Sequence, residues 1–583
     1  MDLQSRLQPP GGSGYLAWLR NYRRAWLAGD LTAGVVVSVM IIPQSMAYAM
    51  LAGLPVQVGL YASILPLIAY ALFGSSMSLS VGPVAVTALM TAALLAPMAA
   101  TGSAEYLQLA IWLALLSGAL LFVFGLLRLG FLANFLSHPV ISGFISGAAV
   151  LIVLSQIPHL LGLAEMPPGP EALLSGWQAI NSLILAMGLA SLVWLLYARS
   201  LLAGHLHRCG LAMPLARILA RLAPILVVVA GILVTQFWQL QDAGVPVVGE
   251  LPAGLPAIVW STPGLGTLYS LLLPALLISL VGFVESVSIA QSLARRKRQS
   301  IDANRELLGM GAANIGSGLS GGFAVCGGFS RSVVNDEAGA QTPLAGVVAA
   351  GLIALILMTL APLFSQLPLV VLAVVILVAV SPLIDLPSLR RAWRYDRAEG
   401  LTLLVTALGV IIFGIEAGIV LGIALSLAAQ LWRGSRPHVA VVGRVPGTDY
   451  FRNTKRHLVE TEPHLLALRI DESIFFANTK AVEQSIQRAL NDYPDTSELL
   501  LILSAVNHID STGLDMLSEL SEGLAERDIR VHLAEVKGPV MDQLEKTDWL
   551  EQQVDEVFPS ILIAFNTLSS ITRSKSNSEE VTP

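Results

Sequence analysis

Charge is what this sequence has least of. Asp, Glu, Lys and Arg make up 13% of its 583 residues, where soluble proteins carry roughly 25%. Cysteine is almost absent. Cys209 and Cys326 stand in separate segments, which excludes a disulfide scaffold and reads as two small apolar residues, not a redox pair. An excess of positive charge is also lacking: the formal net charge is −6, which argues against a polyanion such as nucleic acid as partner. The opening residues, MDLQSRLQPPGGSGYLAWLRNYRRAW, are polar and basic with no apolar core, so no cleavable signal peptide is expected. The apolar part shows no nucleophile–base pair and no metal-ligand cluster, so neither an enzyme nor a bound cofactor or metal is expected.

What is there in quantity is apolar sequence. Hydrophobic residues make up 55% of the chain and the mean hydropathy is +0.70. About 20 apolar residues span a bilayer as a helix, and such runs recur from Leu31 to Trp432. The expected fold is an all-α polytopic membrane domain followed by a small α/β domain. Residues 1–29 read as a cytoplasmic N-terminal segment, 30–432 as the membrane domain, 437–567 as the α/β domain and 568–583 as a disordered tail. Clear spans lie at 106–127, 135–155, 178–198, 268–290, 343–363 and 398–432, the last long enough for two. With the broken ones the count is about 14.

Lys and Arg set the orientation. None occurs between Trp26 and Leu127. Arg128, the group from Arg199 to Arg221, Arg295–Arg298 with Arg305, and Arg390, Arg391, Arg394 and Arg397 all fall in cytoplasmic loops of a 14-span chain whose termini are inside. The opposite loops hold Glu105, Glu165, Glu171, Asp242 and Glu250 and no basic residue. A multi-pass protein of a bacterial inner membrane is the expectation.

The apolar block is unusually rich in breaks. The chain has 31 Pro and 50 Gly. Irregular backbone at membrane depth is tolerated only where it lines a cavity, and a pair of interrupted segments in two halves points to a transporter's binding site. Here they are Ser80-Val81-Gly82-Pro83-Val84-Ala85, at the start of the short span 82–97, and Gly327-Gly328-Phe329-Ser330-Arg331-Ser332, at the start of the short span 328–339. Each would open a half-helix whose free N–H groups and partial positive charge attract anions. A third break, Ile42-Pro43-Gln44-Ser45, brings an amide into an early span.

Arg331 is the sole Lys or Arg between Arg305 and Arg390. At membrane depth an arginine faces a partner or a cavity, and with two helix starts it would make a positive anion site. Glu285 is its natural counterpart, set in an apolar run. It either bridges to Arg331 as a structural pair or takes up a proton when an anion weakens that bridge. One turn on, Ile289 offers no oxygen to a sodium ion.

Other features read as structural. His138 precedes a proline at a span start, Gly143-xxx-Gly147 allows close helix packing, and Arg295–Arg298 reads as a topology determinant. In the tail, 465–470, 499–504 and 529–536 are strand-like, whereas 480–490, 514–526 and 540–551 are helix-like. Asp510-Ser511-Thr512-Gly513 lies between strand and helix and fits a helix cap. A phosphate on Ser511 would be tolerated there.

At these residues the chain resembles the SulP anion permeases, a family of sulfate transporters with prestin and pendrin among its animal relatives. Ile42-Pro43-Gln44-Ser45-Met46-Ala47-Tyr48-Ala49 with Leu51-Ala52-Gly53-Leu54-Pro55 is similar to the family's first-span signature. Ser80–Ala85 resembles its third span, and Gly322–Asn335 with Thr342-Pro343-Leu344-Ala345-Gly346 its ninth-to-tenth span region. The tail resembles a STAS domain, with Asp510–Gly513 at the motif shared with anti-sigma-factor antagonists.

The resemblance implies a 7+7 inverted repeat in which a core domain rocks against a gate domain like an elevator, and a homodimer whose STAS domain binds a cytoplasmic regulator. It implies an anion site built from Gln44 and Tyr48, Val84 and Ala85, and Phe329, Ser330 and Arg331, with Glu285 as the proton-coupling acid. Val84 departs from the aromatic residue many relatives carry. Ser511 matches the serine phosphorylated in soluble STAS relatives. The function so implied is secondary transport of an inorganic anion, sulfate first, by proton symport. Sodium- or proton-coupled bicarbonate or C4-dicarboxylate transport, and uncoupled exchange or conduction, are the competitors.

Overall fold

The computed structural model describes residues 16–134, 137–163, 180–249, 251, 254 and 263–579. Glu165, Glu171 and Glu250, which entered the charge argument, lie outside them. The chain forms two compact units divided between Ala424 and Leu425.

The first unit is helical apart from one two-stranded pairing. Its elements are α1 (Leu27–Leu51), α2 (Val56–Tyr61), α3 (Leu65–Phe73), β1 (Val81–Gly82), α4 (Ala85–Leu95) and α5 (Ala104–Leu126). Then follow α6 (His138–Leu161), α7 (Ser182–Tyr197), α8 (Met213–Arg221), α9 (Ala223–Phe237) and α10 (Leu265–Lys297). The remainder are α11 (Ala303–Leu319), β2 (Cys326–Gly327), α12 (Phe329–Glu337), α13 (Leu344–Thr359), α14 (Leu369–Val380), α15 (Leu386–Tyr395) and α16 (Arg397–Phe413). The last helix, α17 (Ile415–Gly434), runs through the division between units. The 398–432 run splits into α16 and α17 at Gly414, whose φ of 89° a side chain rarely allows.

Among the described residues eight helices are long and apolar enough to cross a membrane, or nine if the bent pair Leu215–Arg221 with Ala223–Phe237 is one span. The expected count of about 14 is not reached on that measure. The physical reason is the breaks: α4, α12 and α13 are short, and α11 and α16 stop at 17 residues.

Packing sorts these helices into two bundles. Helices α1–α5 pack with α10–α13, and α6, α7 and α9 with α14, while α16 lies along α6. Glycine permits the closest contacts. On α5, a Cβ at Gly118 would sit 2.8 Å from the Gly311 carbonyl oxygen of α11. Between α6 and α16, a Cβ at Gly143 or Gly147 would lie 2.4 or 2.6 Å from the carbonyl oxygens of Leu403 and Ala407. The expected close packing there is found. The bundles touch where α1 meets α9 and α14 and where α4 meets α6.

The second unit holds a six-stranded sheet. Its elements are β3 (Val439–Arg444), β4 (Phe451–Asn453), β5 (Leu465–Ile470), α18 (Thr479–Asp492), β6 (Glu498–Ile502), α19 (Ser511–Ala525) and β7 (Arg530–Ala534). They end with α20 (Gly538–Leu544), α21 (Trp549–Gln553), β8 (Glu556–Phe558) and α22 (Ile561–Glu579). Strand order is β4-β3-β5-β6-β7-β8, with β5 to β8 parallel and β3 antiparallel to both its neighbours. Strand β6, Glu-Leu-Leu-Leu-Ile, is buried throughout, as a central parallel strand covered on both faces must be. Ile486, Leu517 and Leu524 cover one face; Phe565 and Leu568 cover the other. The expected α/β domain is present, with three strands beyond those expected: β3, and the short β4 and β8. The region 540–551 divides into α20 and α21. The stretch 568–583, expected to be disordered, is helical as far as Glu579, because Phe565 and Leu568 anchor α22 to the sheet.

Candidate functional site

The two interrupted segments meet. Val81 pairs with Gly327 and Gly82 with Cys326, antiparallel. Gly328 N donates to Ser80 O at 3.0 Å. The pairing sets the starts of α4 and α12 against each other. Val84 and Gly328 precede them with extended dihedrals, and neither start is capped by a side chain. The free N–H groups and partial positive charge of two helix starts are therefore brought together.

Arg331 is 2% exposed in the first turn of α12. Its Nη1 donates to Pro83 O at 2.8 Å, which ties the second segment to the first. Its Nη2 is buried and makes no hydrogen bond. The guanidinium lies flat against two glycines. A Cβ on Gly328 would sit 2.8 Å from Nε and Nη2, and one on Gly82 3.3 Å from Nη1. A buried donor with no acceptor is costly, and an arginine donor bonds most strongly to an anionic acceptor.

The other expected residues divide. Val84, Ala85, Phe329, Ser330 and Arg331 come together through the β1–β2 pairing. Phe329 is 54% exposed and Ser330 is also exposed, whereas Val84 is half-buried and Ala85 buried. Gln44 and Tyr48 are buried one turn apart on α1, which packs against both α4 and α12. No ion pair joins Glu285 to Arg331 among the described residues. The Cys326 thiol lies against Glu285 instead, with Sγ 3.6 Å from Oε2. Glu285 also lines a cavity of about 20 Å³ with Val281 of α10, Val140, Ile141 and Phe144 of α6, and Ile419 of α17. Cys209 and Cys326 are both free thiols. Among the described residues no cluster of His, Cys, Asp and Glu could hold a metal ion.

Sequence reasoning missed the residues that hold the breaks in place. Ser286 Oγ accepts from Gly327 N at 2.8 Å, and Ser332 Oγ accepts from Ser80 N at 2.9 Å. Asn314 clasps Val325 through both its backbone groups, and Asn335 donates to Ser78 O at 3.0 Å. Lys297 pairs with Asp336, in the last turn of α12, at 2.6 Å. Two buried acids hold loops: Asp30 accepts from Gln341 N, Thr342 N and Thr342 Oγ1, and Glu306 from Ser75 N, Ser76 N and the Tyr70 hydroxyl. The available signal was Ser286 beside Glu285 in an apolar run. His138 lies exposed at the start of α6 with Ser142 Oγ 3.3 Å from Nδ1, a local contact. In the second unit Asp510 caps α19 by accepting from Gly513 N at 2.8 Å, and Ser511 is exposed at the first helical position.

Residues 27–406 match the model of the sulfate permease family and 457–561 that of the STAS domain. The chain belongs to the sulfate permease family. It is a multi-pass membrane protein of a transporter family, with a C-terminal STAS domain, and not an enzyme. It is 36% identical over 535 residues to "Sulfate transporter 4.1, chloroplastic" of Arabidopsis thaliana, covering 89% of this chain and 76% of that one. With a probable sulfate transporter of Mycobacterium tuberculosis the identity is 35% over 548 residues, covering 91% of this chain and 93% of the relative. The fold is that of the murine Solute Carrier 26 member A9 anion transporter in its inward-facing state: TM-score 0.85 at 22% identity, over 94% of this chain and 92% of that one. The transmembrane domain of the cyanobacterial bicarbonate transporter BicA aligns with TM-score 0.58 at 23% identity, over 68% of this chain and 98% of that domain.

Proposed function

We propose that this permease carries sulfate into the cell with protons. The observation that carries the reading is the unpaired Nη2 of buried Arg331, in the first turn of one of two uncapped helices whose starts are joined by the β1–β2 pairing. A tetrahedral dianion would receive N–H groups near Val84, Ala85, Phe329 and Ser330 and the guanidinium of Arg331. Gln44 and Tyr48 would close the site from α1. The names of the relatives, sulfate transporters in a plant and a bacterium, support sulfate as the cargo.

Glu285 is the proposed proton switch. It belongs to α10 of one bundle and lines a small apolar cavity with α6 of the other and with Ile419 of α17. Relative movement of the bundles, as in an elevator of core against gate within a 7+7 inverted repeat, would change its surroundings. An ionised carboxylate is costly against an apolar wall, so protonation would license the movement. Ile289, one turn away and buried, offers no ligand to sodium. We place the protein in a bacterial inner membrane with both termini cytoplasmic and working as a homodimer, the STAS domain a regulatory module in which Ser511 can accept a phosphate.

The test is radiolabelled sulfate uptake into proteoliposomes with an inward proton gradient imposed and then collapsed. Accumulation that follows the gradient supports the reading. Sodium dependence, or displacement of sulfate by bicarbonate or a C4-dicarboxylate at lower concentration, replaces the coupling ion or the cargo.

A further inference from the structure

Helix α15, Leu-Pro-Ser-Leu-Arg-Arg-Ala-Trp-Arg-Tyr, follows the apolar run of α14 and precedes α16. Its sequence sorts by face: Leu386, Leu389 and Trp393 share one side, and Arg390, Arg394 and Arg391 follow round the next. Leu369–Tyr395 as a whole is long and apolar enough to cross a membrane, with the arginines of α15 at its charged end. All three arginines are exposed, and among the described residues none makes an ion pair or hydrogen bond. The neighbouring acids cap helices: Asp385, whose charge Arg391 feels without forming an ion pair, accepts from Ser388 N at 2.9 Å at the start of α15, and Asp396 accepts from Ala398 N at 2.8 Å at the start of α16.

Two grooves meet at this helix. One, of about 390 Å³, is floored by Leu386, Leu389, Trp393 and Leu404 of α16, with Arg390 and Arg394 on its rim. The other, of about 680 Å³, is lined by Leu386, Pro387, Tyr395 and all three arginines. Trp393 seats against α16 because residue 400 is glycine: a Cβ there would lie 2.7 Å from the indole. Arg390 and Arg394 are one turn apart and border both grooves. The result is an apolar slot opening onto paired, unneutralised guanidinium groups.

We propose that this is a binding site for one anionic phospholipid, its phosphate held by Arg390 and Arg394 and an acyl chain lying on Leu386, Leu389, Trp393 and Leu404. A free phosphate would use the arginines and leave Leu386 (67% exposed) and Trp393 (45% exposed) in water. A zwitterionic lipid offers the same phosphate but brings a cationic headgroup towards the arginines, so it would be held less tightly. An anionic lipid satisfies both halves.

The test uses the full-length protein in detergent with phosphatidylglycerol and phosphatidylcholine of matched chains, read by native mass spectrometry. The wild type retains phosphatidylglycerol selectively. R390Q/R394Q weakens that retention on the order of thirtyfold, at about 1 kcal/mol per basic side chain, while R295Q/R296Q in another exposed basic cluster leaves it unchanged. An equal loss in both double variants, or none in R390Q/R394Q, overturns the assignment. Glycerophosphoglycerol, the headgroup without chains, does not displace the lipid at equal concentration; displacement would overturn the acyl half of the site. Should R390Q/R394Q not be recovered folded, R394Q alone gives the same test with a smaller loss.

Discussion

Arg331 donates to the carbonyl oxygen of Pro83 at 2.8 Å. One guanidinium nitrogen is thereby spent on joining the two broken segments, while another, Nη2, is buried without a hydrogen bond. In the proposed site a single side chain would serve both structure and binding.

Arg331→Lys keeps the charge but loses the fork that serves both tasks. Sulfate affinity should fall by about tenfold to a hundredfold, the worth of one charged hydrogen bond, and Arg331→Ala should abolish binding. Equilibrium binding of labelled sulfate to the purified protein measures both. Unchanged affinity in the alanine variant would remove Arg331 from the site.

Gly328→Ala places a methyl 2.8 Å from Nε and Nη2. The guanidinium must shift, so uptake should drop at least tenfold while the protein still elutes as a folded species. Gly351→Ala, where a Cβ meets nothing within 4 Å, is the matched control and should retain full uptake.

Glu285→Gln should make sulfate uptake indifferent to an imposed proton gradient while leaving sulfate–sulfate exchange within about twofold, a change too small to represent a lost interaction. Counterflow and gradient-driven uptake in the same vesicles separate the two. A glutamine variant that still concentrates sulfate on a proton gradient would end the coupling role.

The STAS sheet should weaken in acid. Burial alone would raise Glu498, but hydrogen bonds from His532 and Arg530 outweigh it and hold the carboxyl below its usual range. A lowered folded-state pKa gives stability that is present above the ordinary carboxylate range and lost as pH falls through the folded value. Glu498→Gln should cost about 2 kcal/mol at neutral pH and flatten that acid dependence. Hydrogen exchange of β6 and β7 amides in the full-length protein at pH 7 and pH 4 reads both effects.

The breaks were legible because Gly and Pro mark them directly and because a lone arginine in apolar sequence is conspicuous. The residues that hold the breaks were not. Ser286, Ser332 and Asn314 act on backbone groups chosen by tertiary packing, and nothing local in the sequence distinguishes them from ordinary small polar residues. Glu306 sits beside Arg305 and reads as surface charge, yet it is fully buried on backbone N–H groups of another loop. Cys326 read as a filler and lies against the acid at the bundle boundary. Strands β4 and β8 are three residues each, too short to leave an alternating pattern.

The pairing of β1 with β2 also sets an order of assembly. Arg331 and the carbonyl it grips are 248 positions apart, and contacts this distant form late. Until the ribosome has delivered Cys326 and Arg331, the Pro83 carbonyl and the start of α4 have no partner from the second segment. A nascent chain halted before residue 326 would lack both the strand that pairs with Val81 and Gly82 and the arginine that joins the two segments.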